Sequence, residues 1–410
     1  MTILETPSTK NIFEDESVWE DHWKKRIEKR RNLKICNKCL LDANILELVF
    51  DEKGICNYCR IQEDLEIKYP GGSQGENKLK SIADQIKKES HKRAYDLVVG
   101  VSGGADSSYL LYLTKVELGL RPLAVHFDNS WNSTIATKNI KKITNKLGID
   151  LFTHVVDNKE FDDSCRAFLR AGVTDLDIQT DLGLAATLFK AAEKYKIKYI
   201  FEGHSFRSEG IGPKGMYYMD SRYVNSIQEK YGTKKLKTLP HMWLSSQLKW
   251  MVVNRFKKIR PLWLIDYNKN ECKEMLKKDF QWEWYGGHHL ENRMTAFLHT
   301  YFLPRRWDVD PRIYGYSGLV RSGQLCRKEA LRKIEDPPNA DLEIVELVKK
   351  RLDLTGDEFV QLMRTPKRHY TEFKNYKKTF EFMRPFFYQM AKMNLVPWTF
   401  YMKYCKKTEK

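Results

Sequence analysis

The chain has 410 residues, of which 42% are hydrophobic and 30% charged, a balance typical of a folded globular protein rather than a disordered one. The sequence contains no apolar run of about 18 residues, which argues against a membrane-spanning helix, and its acidic beginning does not resemble a signal peptide. We therefore expect a cytoplasmic protein, and its net charge of +17 favours anionic partners such as nucleotides, sugar phosphates or nucleic acid.

The chain begins with a polar extension, residues 1–32, in which Trp19 and Trp23 predict a short helix packed through its aromatic rings. The turn-forming stretch 70–77 is predicted to be a linker or an ordered surface loop.

Between these two segments lie four regularly spaced cysteines. Cys36 and Cys39 form one Cys-Xaa-Xaa-Cys pair, and Cys56 and Cys59 form a second pair after 16 intervening residues. Disulfides are rare in cytosolic proteins, whereas two such pairs can close a tetrahedral site of four thiolates. The spacing predicts a structural Zn²⁺ site, with an iron–sulfur cluster as the alternative. Four thiolates leave no open position, so we expect this metal to stabilise the fold and not to react.

Short apolar strands alternate with helices over about residues 78–205. This alternation predicts a parallel sheet with helices on both faces, an α/β doubly wound architecture. The predicted strands cover residues 96–101, 122–127, 150–156 and 199–203.

The first predicted strand is followed by the sequence Ser-Gly-Gly-Ala-Asp-Ser, directly before a helix. Gly103 and Gly104 allow backbone N–H groups to approach an anion closely, and the helix adds the positive end of its dipole. Ser102 and Ser107 supply hydroxyl donors. Asp106 is unusual beside a phosphate unless it caps the helix or holds a cation, for which Mg²⁺ is suited. The sequence lacks the Walker A pattern and the dinucleotide-binding glycine pattern.

This loop resembles the signature of the PP-loop ATP pyrophosphatases. The resemblance implies an adenine-nucleotide α-hydrolase-like fold and an Mg²⁺-dependent cleavage of ATP between its α and β phosphates. An adenylate forms, from which a nitrogen or sulfur nucleophile displaces AMP. The resemblance also implies that the pyrophosphate part of ATP binds to Ser102, Gly103, Gly104, Asp106 and Ser107.

Two further strand ends fit the same resemblance, because ligands of open α/β sheets bind beyond the carboxyl ends of the strands. Asp128 follows the second strand, where the family's adenosine contacts arise. Gly203 and His204 follow the last strand and resemble the Gly-His that closes the nucleotide pocket. His204 is thus a candidate catalytic residue together with Asp106, although a lone histidine at a strand end is more often structural.

The densest polar and aromatic cluster of the sequence covers residues 282–293, and arginines continue beyond it. Such a cluster suits a charged, polyhydroxyl ligand, since arginine can bind phosphate through two parallel hydrogen bonds. A helix–loop–helix with surface charge is the alternative. The candidate catalytic residues here are Glu283, His288 and Glu291, and the candidate substrate ligands are Arg293, Arg305 and Arg306.

The zinc module, the phosphate loop and the segment Tyr-Gly-Gly-His-His-Leu-Glu-Asn-Arg together resemble the N-acetyl sugar amidotransferases of bacterial surface-polysaccharide (O-antigen, lipopolysaccharide) and flagellar-glycan biosynthesis. The resemblance implies that ATP activates the acetamido oxygen of an N-acetyl sugar, which can be nucleotide-linked. Ammonia then replaces this oxygen to give an acetamidino group.

The resemblance also implies partner proteins that deliver ammonia. We find no convincing nucleophilic cysteine for glutamine hydrolysis in the sequence. The implied partners are a glutaminase subunit and a cyclase-like subunit that resemble those of imidazole glycerol phosphate synthase.

The C-terminal part is predicted to be mainly helical, with a capping box at Thr355 and Glu358. Its basic, aromatic tail from residue 366 is either a packing layer with a solvated face or a docking surface for an acidic partner or RNA. The sequence therefore predicts four segments: a helical extension (1–32), a zinc module (33–70), a PP-loop domain (78–240) and a helical substrate or partner region (241–410).

Two other functions fit parts of the sequence. In tRNA thiolation a cysteine near the ATP site carries sulfur, and Cys165 is the lone candidate, so we regard a nucleic-acid substrate as unlikely. A zinc-ribbon interaction protein with a degenerate nucleotide fold is the non-enzymatic alternative, which the intact loop disfavours.

Overall fold

A computed structural model describes residues 12–212, 216–287, 289–393, 396 and 400–405. The described residues form two compact units. The first unit is drawn from Met1–Leu65, Phe206–Pro213 and Ala296–Lys367, and the second from Glu66–Ser205, Lys214–Thr295 and Arg368–Lys410. Both units are assembled from separated stretches of the chain, whereas the four segments predicted from the sequence are consecutive.

The second unit contains a parallel five-stranded sheet in the order β3-β2-β1-β4-β5. The strands are β1 (Leu97–Gly100), β2 (Pro122–Asp128), β3 (Leu151–Val155), β4 (Tyr199–Phe201) and β5 (Lys257–Ile259). The four predicted strands and the parallel α/β architecture are confirmed, and β5 is an addition that the sequence did not predict.

The strand sequences explain this arrangement. β1, β2 and β4 are continuous apolar runs because both faces of a central parallel strand are covered by helices, and their side chains are almost wholly buried. β3 lies at the edge, where its residues alternate between exposed and half-buried. The strand order changes direction at β1, which has β2 on one side and β4 on the other. The carboxyl ends of β1 and β4 therefore border a crevice of the kind in which α/β proteins bind ligands.

Helices connect and flank the strands. α5 is capped by Ser133 at its start and by Gly148, at φ 58°, at its end. α3 begins inside the stretch predicted to be a linker or loop. The helices are α1 (Glu16–Arg31), α2 (Asn57–Lys68), α3 (Gly72–Ser90), α4 (Ala105–Tyr112), α5 (Thr134–Leu147), α6 (Asn158–Ala171), α7 (Ile178–Lys194), α8 (Ser221–Tyr231), α9 (Leu244–Leu248), α10 (Lys269–Phe280), α11 (Arg293–Phe297), α12 (Leu303–Trp307), α13 (Arg312–Arg321), α14 (Arg327–Lys333), α15 (Leu342–Arg351), α16 (Gly356–Met363), α17 (Lys377–Phe382) and α18 (Arg384–Lys392).

The first unit is mainly helical. The predicted N-terminal helix is present as α1, which buries Trp19, Trp23 and Ile27, and the indole of Trp23 donates to the carbonyl of Glu335 at 2.9 Å. The capping box at the start of α16 is also confirmed, since Thr355 and Glu358 exchange side-chain and backbone hydrogen bonds. Within the part of the chain that the structure describes, no helix has both the length and the apolar character that crossing a membrane requires.

Some of the aromatic residues of the basic tail pack inside the second unit. Tyr370 stacks on Tyr218 with ring centroids 4.6 Å apart, and Phe373 packs edge-on against Tyr223. The backbone N–H of Tyr376 donates to Asp220 at 2.6 Å. These contacts support the packing interpretation of the tail, whose role as a docking surface stays a prediction.

Candidate functional site

The turn between β1 and α4 has the backbone geometry of an anion seat. Gly103 adopts φ 83°, and a Cβ atom there would lie 2.3 Å from the carbonyl oxygen of Ala136, so a side chain does not fit. Gly104 is the N-cap of α4, and it makes no side-chain cap hydrogen bond. Since Gly104 has no side chain, no N-cap side chain accepts hydrogen bonds from the first-turn N–H groups of α4. These groups lie at the crevice beside the carboxyl end of β1.

The two loop serines hold this turn through long hydrogen bonds. Ser107 Oγ accepts the N–H of Ser102 at 3.2 Å and donates to the Gly104 carbonyl at 3.2 Å. Ser102 Oγ accepts the N–H of Gly104 at 3.3 Å. Bonds donated by hydroxyls are usually shorter than 3.0 Å, so the bond from Ser107 Oγ to the Gly104 carbonyl is weak enough for this hydroxyl to turn towards a bound anion.

The carboxylate of Asp106, on α4, lies next to a lysine ammonium of the same chain. Its Oδ2 contacts the Lys269 ammonium at 2.6 Å, and Tyr267 donates its hydroxyl to Oδ1. Both charged side chains are little exposed, at 16% for Asp106 and 11% for Lys269. Burial alone would raise the pKa of Asp106, but the Lys269 charge and the two hydrogen bonds outweigh it and lower the pKa. Lys269, on α10, therefore places a positive charge beside the loop, which the sequence did not indicate.

The end of β4 closes the other side of the crevice. A Cβ atom at Gly203 would lie 3.4 Å from Ser107 Cα, so this glycine packs against the first turn of α4. The surrounding protein desolvates His204, and this burial, with the positive charge of Arg260, lowers the pKa of His204 to about 3. A pKa this low makes the neutral imidazole the main form of His204 at neutral pH.

Asp128 lies where the sequence placed it, at the carboxyl end of β2. Its Oδ1 accepts the N–H of Ser130 at 2.8 Å, which closes a tight turn in which Ser130 has φ 62°. β2 pairs directly with β1, so Asp128 shares the edge of the sheet from which the phosphate loop starts.

The predicted downstream segment folds against the phosphate loop. The Trp282 indole donates to the carbonyl of Gly103 at 3.0 Å. The Asn139 amide group bridges the two parts, since Nδ2 donates to the Gly103 carbonyl at 3.3 Å and to the Glu283 carbonyl at 2.8 Å. The cluster, which the sequence indicated only by its density of polar and aromatic residues, therefore contacts the predicted phosphate loop.

Glu291 and Tyr285 from this segment meet the loop at its glycines. Ser102 Oγ donates to Glu291 Oε1 at 3.1 Å. A Cβ atom at Gly104 would lie 3.0 Å from Glu291 Oε1 and 3.1 Å from the Tyr285 hydroxyl. Burial first, and then the negative charge of Glu291, raises the pKa of Tyr285. The second oxygen, Glu291 Oε2, is buried and has no hydrogen-bond partner among the described residues.

The segment continues along the end of β2. Ser133 donates its N–H to the Glu291 carbonyl at 2.8 Å, and Arg293 donates its N–H to the Trp131 carbonyl at 2.7 Å. The Asn292 amide group donates to Asn129 Oδ1 at 3.1 Å. Arg293 is half-buried at this position, next to the residue that contacts Ser102.

A buried carboxyl group, missed by the sequence analysis, lies on the same side of the sheet. Asp177 precedes α7 and accepts hydrogen bonds from the hydroxyls of Thr180 and Thr295. The amide group of Asn129 donates to Thr180 Oγ1 at 2.9 Å, which connects this carboxyl to the turn after β2. Burial raises the pKa of Asp177 to about 7, because the charged form loses its hydration.

Other predicted site residues lie outside this arrangement. Glu283 points its carboxylate at Lys142 (2.6 Å) and is 51% exposed. Arg305 is buried in the first unit, where it contacts Glu16 at 2.6 Å, and Arg306 donates to backbone carbonyls that include that of Thr365, also at 2.6 Å. These contacts occupy both guanidinium groups within the first unit, so the prediction of Arg305 and Arg306 as substrate ligands is not supported. His288 lies outside the described residues.

The four cysteines form a buried cluster in the first unit. The Sγ atoms of Cys36, Cys39, Cys56 and Cys59 all lie within 4.8 Å of one another, with separations of 3.6–3.7 Å along three edges. A tetrahedron with metal–sulfur bonds of about 2.3 Å has edges of about 3.8 Å, so the thiols fit a four-thiolate metal site. Arg327 donates to the carbonyls of Cys36 and Cys39 and braces the first pair.

Cys165 is buried in α6 of the second unit, and its Sγ accepts a hydrogen bond from Gln179 Nε2 at 3.3 Å. It is fully enclosed, which does not suit a thiol that exchanges sulfur with a substrate.

Comparisons with known proteins extend this description. Residues 291–386 match the model of a family described as LPS biosynthesis protein WbpG-like, C-terminal domain. This match confirms the predicted resemblance to a surface-polysaccharide family for that part of the chain. No curated protein sequence matches the chain significantly.

Two solved structures align with the chain at low similarity. NMN synthetase from Francisella tularensis has a TM-score of 0.31 at 15% identity, covering 70% of this chain and 94% of its own. The U34-tRNA thiolase NcsA from Methanococcus maripaludis, solved with its [4Fe-4S] cluster, has a TM-score of 0.30 at 13% identity, covering 74% and 88%. At this level of similarity, neither alignment assigns a function to this chain.

Proposed function

We propose that this protein is an ATP-dependent amidotransferase of the PP-loop type, which converts the acetamido group of an N-acetyl sugar into an acetamidino group. The observation that carries the proposal is the turn after β1. Gly103 there has no room for a side chain, and the first turn of α4 has no N-cap side chain at the crevice between β1 and β4. This combination suits the phosphate groups of a nucleotide.

Several groups at the loop each contribute to ATP binding in this proposal. The N–H groups at the start of α4 and the hydroxyls of Ser102 and Ser107 bind the pyrophosphate part, and Lys269 adds a positive charge beside them. His204 is neutral and contributes hydrogen bonding without a charge. Mg²⁺, when bound, neutralises charge on the phosphates, and the carboxylates of Asp106 and Glu291 lie at the loop to hold it.

An amide is a poor electrophile, which explains the need for ATP. The acetamido oxygen attacks the α phosphorus and the bond to pyrophosphate breaks. Ammonia then adds to the activated carbon, the carbon–oxygen bond to AMP breaks, and the new nitrogen loses a proton. Donors placed where negative charge develops lower the barrier to both steps, and the loop amides and Lys269 are donors for the leaving pyrophosphate.

The WbpG-like match supports a substrate from surface-polysaccharide biosynthesis, because it covers Glu291 to residue 386 and its first three residues contact the loop or the neighbouring turn. Arg293 is the candidate contact to the sugar or its linked phosphate. The ammonia source in this proposal is a separate glutaminase with a cyclase-like subunit, and the four-cysteine site holds a structural Zn²⁺.

The alternative of tRNA thiolation is weaker on the geometry of the chain. Its one candidate thiol, Cys165, is enclosed in the core of the second unit. Sulfur transfer requires a thiolate that a partner can reach.

The decisive experiment is to incubate the protein with ATP, ammonium chloride and a panel of N-acetyl sugars, free and nucleotide-linked. Mass spectrometry should detect an acetamide-to-acetamidine change, with AMP and pyrophosphate formed in equal amounts. A Ser102→Ala variant, which removes one loop donor, should form both products more slowly. Release of ADP instead of AMP, or AMP formation that depends on added RNA, would contradict the proposal.

A further inference from the structure

The helices α17 and α18 of the second unit each have one face in the core and one face in solvent. On the inner face, Phe380 and Phe387 pack edge-on with their ring centroids 5.5 Å apart, and Ala391 is also buried. Phe380 packs edge-on against Tyr404, which in turn packs edge-on against the buried Tyr218. These contacts fix both helices to the unit, so their outer face has a defined orientation.

The outer face of these helices exposes cations and apolar side chains. Within residues 373–393, the exposed positions are four cations, three apolar residues and one glutamine. Residues three or four apart on a helix lie on the same side, and this spacing joins Lys378 to Phe382 on α17 and Pro385 to Gln389 on α18. We call the exposed residues the outer stripe: Lys374, Lys378, Phe382, Arg384, Pro385, Gln389, Lys392 and Met393.

The positive charge of the outer stripe is not neutralised by the chain. The one carboxylate within residues 373–393, that of Glu381, pairs with the buried Lys377 at 3.3 Å. Among the residues that the structure describes, no carboxylate forms an ion pair with the stripe cations Lys374, Lys378, Arg384 and Lys392. Four such cations on one face create a positive potential that attracts a negatively charged surface.

Apolar side chains project from the same stripe. Phe382 is 87% exposed and Met393 is 55% exposed. Single exposed apolar residues are common on protein surfaces, so neither residue alone indicates a partner. Their combination with cations on one helical face is typical of segments that lie on a membrane, where apolar side chains enter the acyl boundary and lysine and arginine reach anionic headgroups.

An anionic bilayer fits this combination better than RNA or an acidic protein does. Phe382 is the only aromatic residue of the stripe, whereas proteins that bind single-stranded RNA stack successive bases on several aromatic rings. Three of the four cations are lysines, which are depleted in protein–protein interfaces. A lysine beside an apolar residue suits a lipid surface, because its stem can lie in the apolar layer while its ammonium group stays at the headgroups.

We propose that the outer stripe binds the surface of an anionic lipid bilayer. Phe382 and Met393 enter the boundary between headgroups and acyl chains, and the four cations contact the lipid phosphates. Membrane binding of this kind does not depend on the proposed reaction, because the stripe contains none of the candidate active-site residues. It would keep the second unit at a membrane surface without a membrane-spanning segment.

Cosedimentation of the full chain with lipid vesicles tests the proposal. Vesicles of phosphatidylcholine alone are compared with vesicles of phosphatidylcholine and phosphatidylglycerol in equal amounts. The wild type should bind the anionic vesicles at least about tenfold more tightly, and added salt should weaken this binding. Each cation near an anionic surface strengthens binding by about fivefold, so the double variant Lys374→Gln, Lys378→Gln should lose at least about tenfold in affinity. Phe382→Ala should lose about fivefold, because less apolar surface enters the bilayer.

Matched variants separate the stripe from the overall charge of the chain. Lys80→Gln with Lys87→Gln removes the same charge from exposed positions of α3, and this variant should keep the affinity within about twofold, since distant charges are screened. Ile67→Ala, at a residue of α2 that is 81% exposed, is the control for Phe382→Ala and should bind like the wild type.

Three results would overturn the proposal. The first is equal affinity of the wild type for neutral and anionic vesicles, and the second is an equal loss in the α3 and stripe double variants. The third is a wild type that binds neither kind of vesicle. Binding to random-sequence RNA or to polyglutamate, lost in the stripe double variant, would then identify nucleic acid or an acidic protein as the partner of the stripe.

Discussion

Asp106 and Lys269 form a largely buried ion pair, so Asp106→Asn should lower both the stability of the protein and its activity. The substitution leaves the Lys269 ammonium facing a neutral amide, in a place where the two charged side chains are only 16% and 11% exposed. Removing one partner of a buried ion pair typically costs about 3–5 kcal/mol, because the remaining charge is uncompensated. The flexible lysine stem can carry the ammonium towards water, so we expect a loss near the lower limit, about 3 kcal/mol.

Urea unfolding at pH 7 measures this loss, and a double variant tests its cause. Asp106→Asn combined with Lys269→Met removes both charges, so it should recover most of the stability, as replacements of buried pairs by apolar residues often do. Neither variant should form AMP at the wild-type rate, because one misplaces the Lys269 charge and the other removes it. Asp84→Asn, at an exposed carboxylate of α3, should change stability by no more than about 0.5 kcal/mol.

The pH dependence provides an independent readout. The folded-state pKa of Asp106 lies below its ordinary value of 3.8, so the carboxylate contributes its stability fully above 3.8. This contribution is lost as pH falls through the lower, folded-state pKa. The stability gap between wild type and Asp106→Asn should therefore be constant above about pH 5 and close at acid pH. A single variant as stable as wild type at pH 7, or a double variant no more stable than the single one, would refute the reasoning.

Four further outcomes follow from the described contacts. Gly103 has φ 83°, and a Cβ atom there would lie 2.3 Å from the Ala136 carbonyl oxygen. Gly103→Ala should therefore abolish AMP formation and lower the melting temperature. A normal rate of AMP formation would contradict the loop geometry. Cys36→Ser should release the bound metal, measured by elemental analysis, and should lower stability, since structural metal contributes folding free energy; a metal-free variant of full stability would contradict it. Cys165→Ala should leave the rate of AMP formation unchanged, whereas a loss at equal stability would favour sulfur transfer. Asp177→Asn should gain stability relative to wild type as pH rises from about 4 to 7, because the unfolded carboxyl ionises in this window while the folded group, with a pKa of about 7, stays neutral. Urea unfolding should show a gain of about 4 kcal/mol, because the pKa of Asp177 is raised by roughly three units and each unit corresponds to about 1.4 kcal/mol. A stability difference between variant and wild type that does not change with pH would exclude the raised pKa as its cause.

The parts of the fold that were predicted are those in which the signal is local. The buried strands are continuous apolar runs, and the phosphate loop lies within a few residues of the strand and helix that shape it. β5 escaped prediction because it has three residues, two of them lysines, and becomes a strand by pairing with β4. α3 begins in the glycine-rich stretch because tertiary packing overrides local propensity. A Cβ at Gly75 would lie 2.1 Å from the Leu264 carbonyl, so close packing explains a glycine within this helix.

The site was predicted less completely, for the same physical reason. Lys269 reaches Asp106 across 163 positions of sequence, and Ser102 reaches Glu291 across 189. No periodicity or spacing encodes such pairs, so Lys269 and Tyr267 were missed. The dense downstream cluster indicated a functional segment but could not rank its members. Burial then decides between two of them, since Glu283 is solvated beside Lys142 while Glu291 lies at the loop.

The contact between Ser102 and Glu291 also connects the predicted phosphate loop with the part of the chain that matches the WbpG-like family. The geometry of the loop supports the binding of a nucleotide but does not indicate which molecule the nucleotide activates. The WbpG-like match concerns surface polysaccharides, and it begins at Glu291, the residue that contacts Ser102. Because Glu291, Asn292 and Arg293 hold the loop or the adjacent turn, the polysaccharide-related part of the chain starts where the phosphates would lie. Under the proposed function, a sugar that contacts Arg293 would bind beside the turn after β2, next to the residue that contacts Ser102. Arg293→Ala should therefore raise KM for the sugar more than KM for ATP, and equal effects on both would contradict a role of Arg293 as a contact to the sugar.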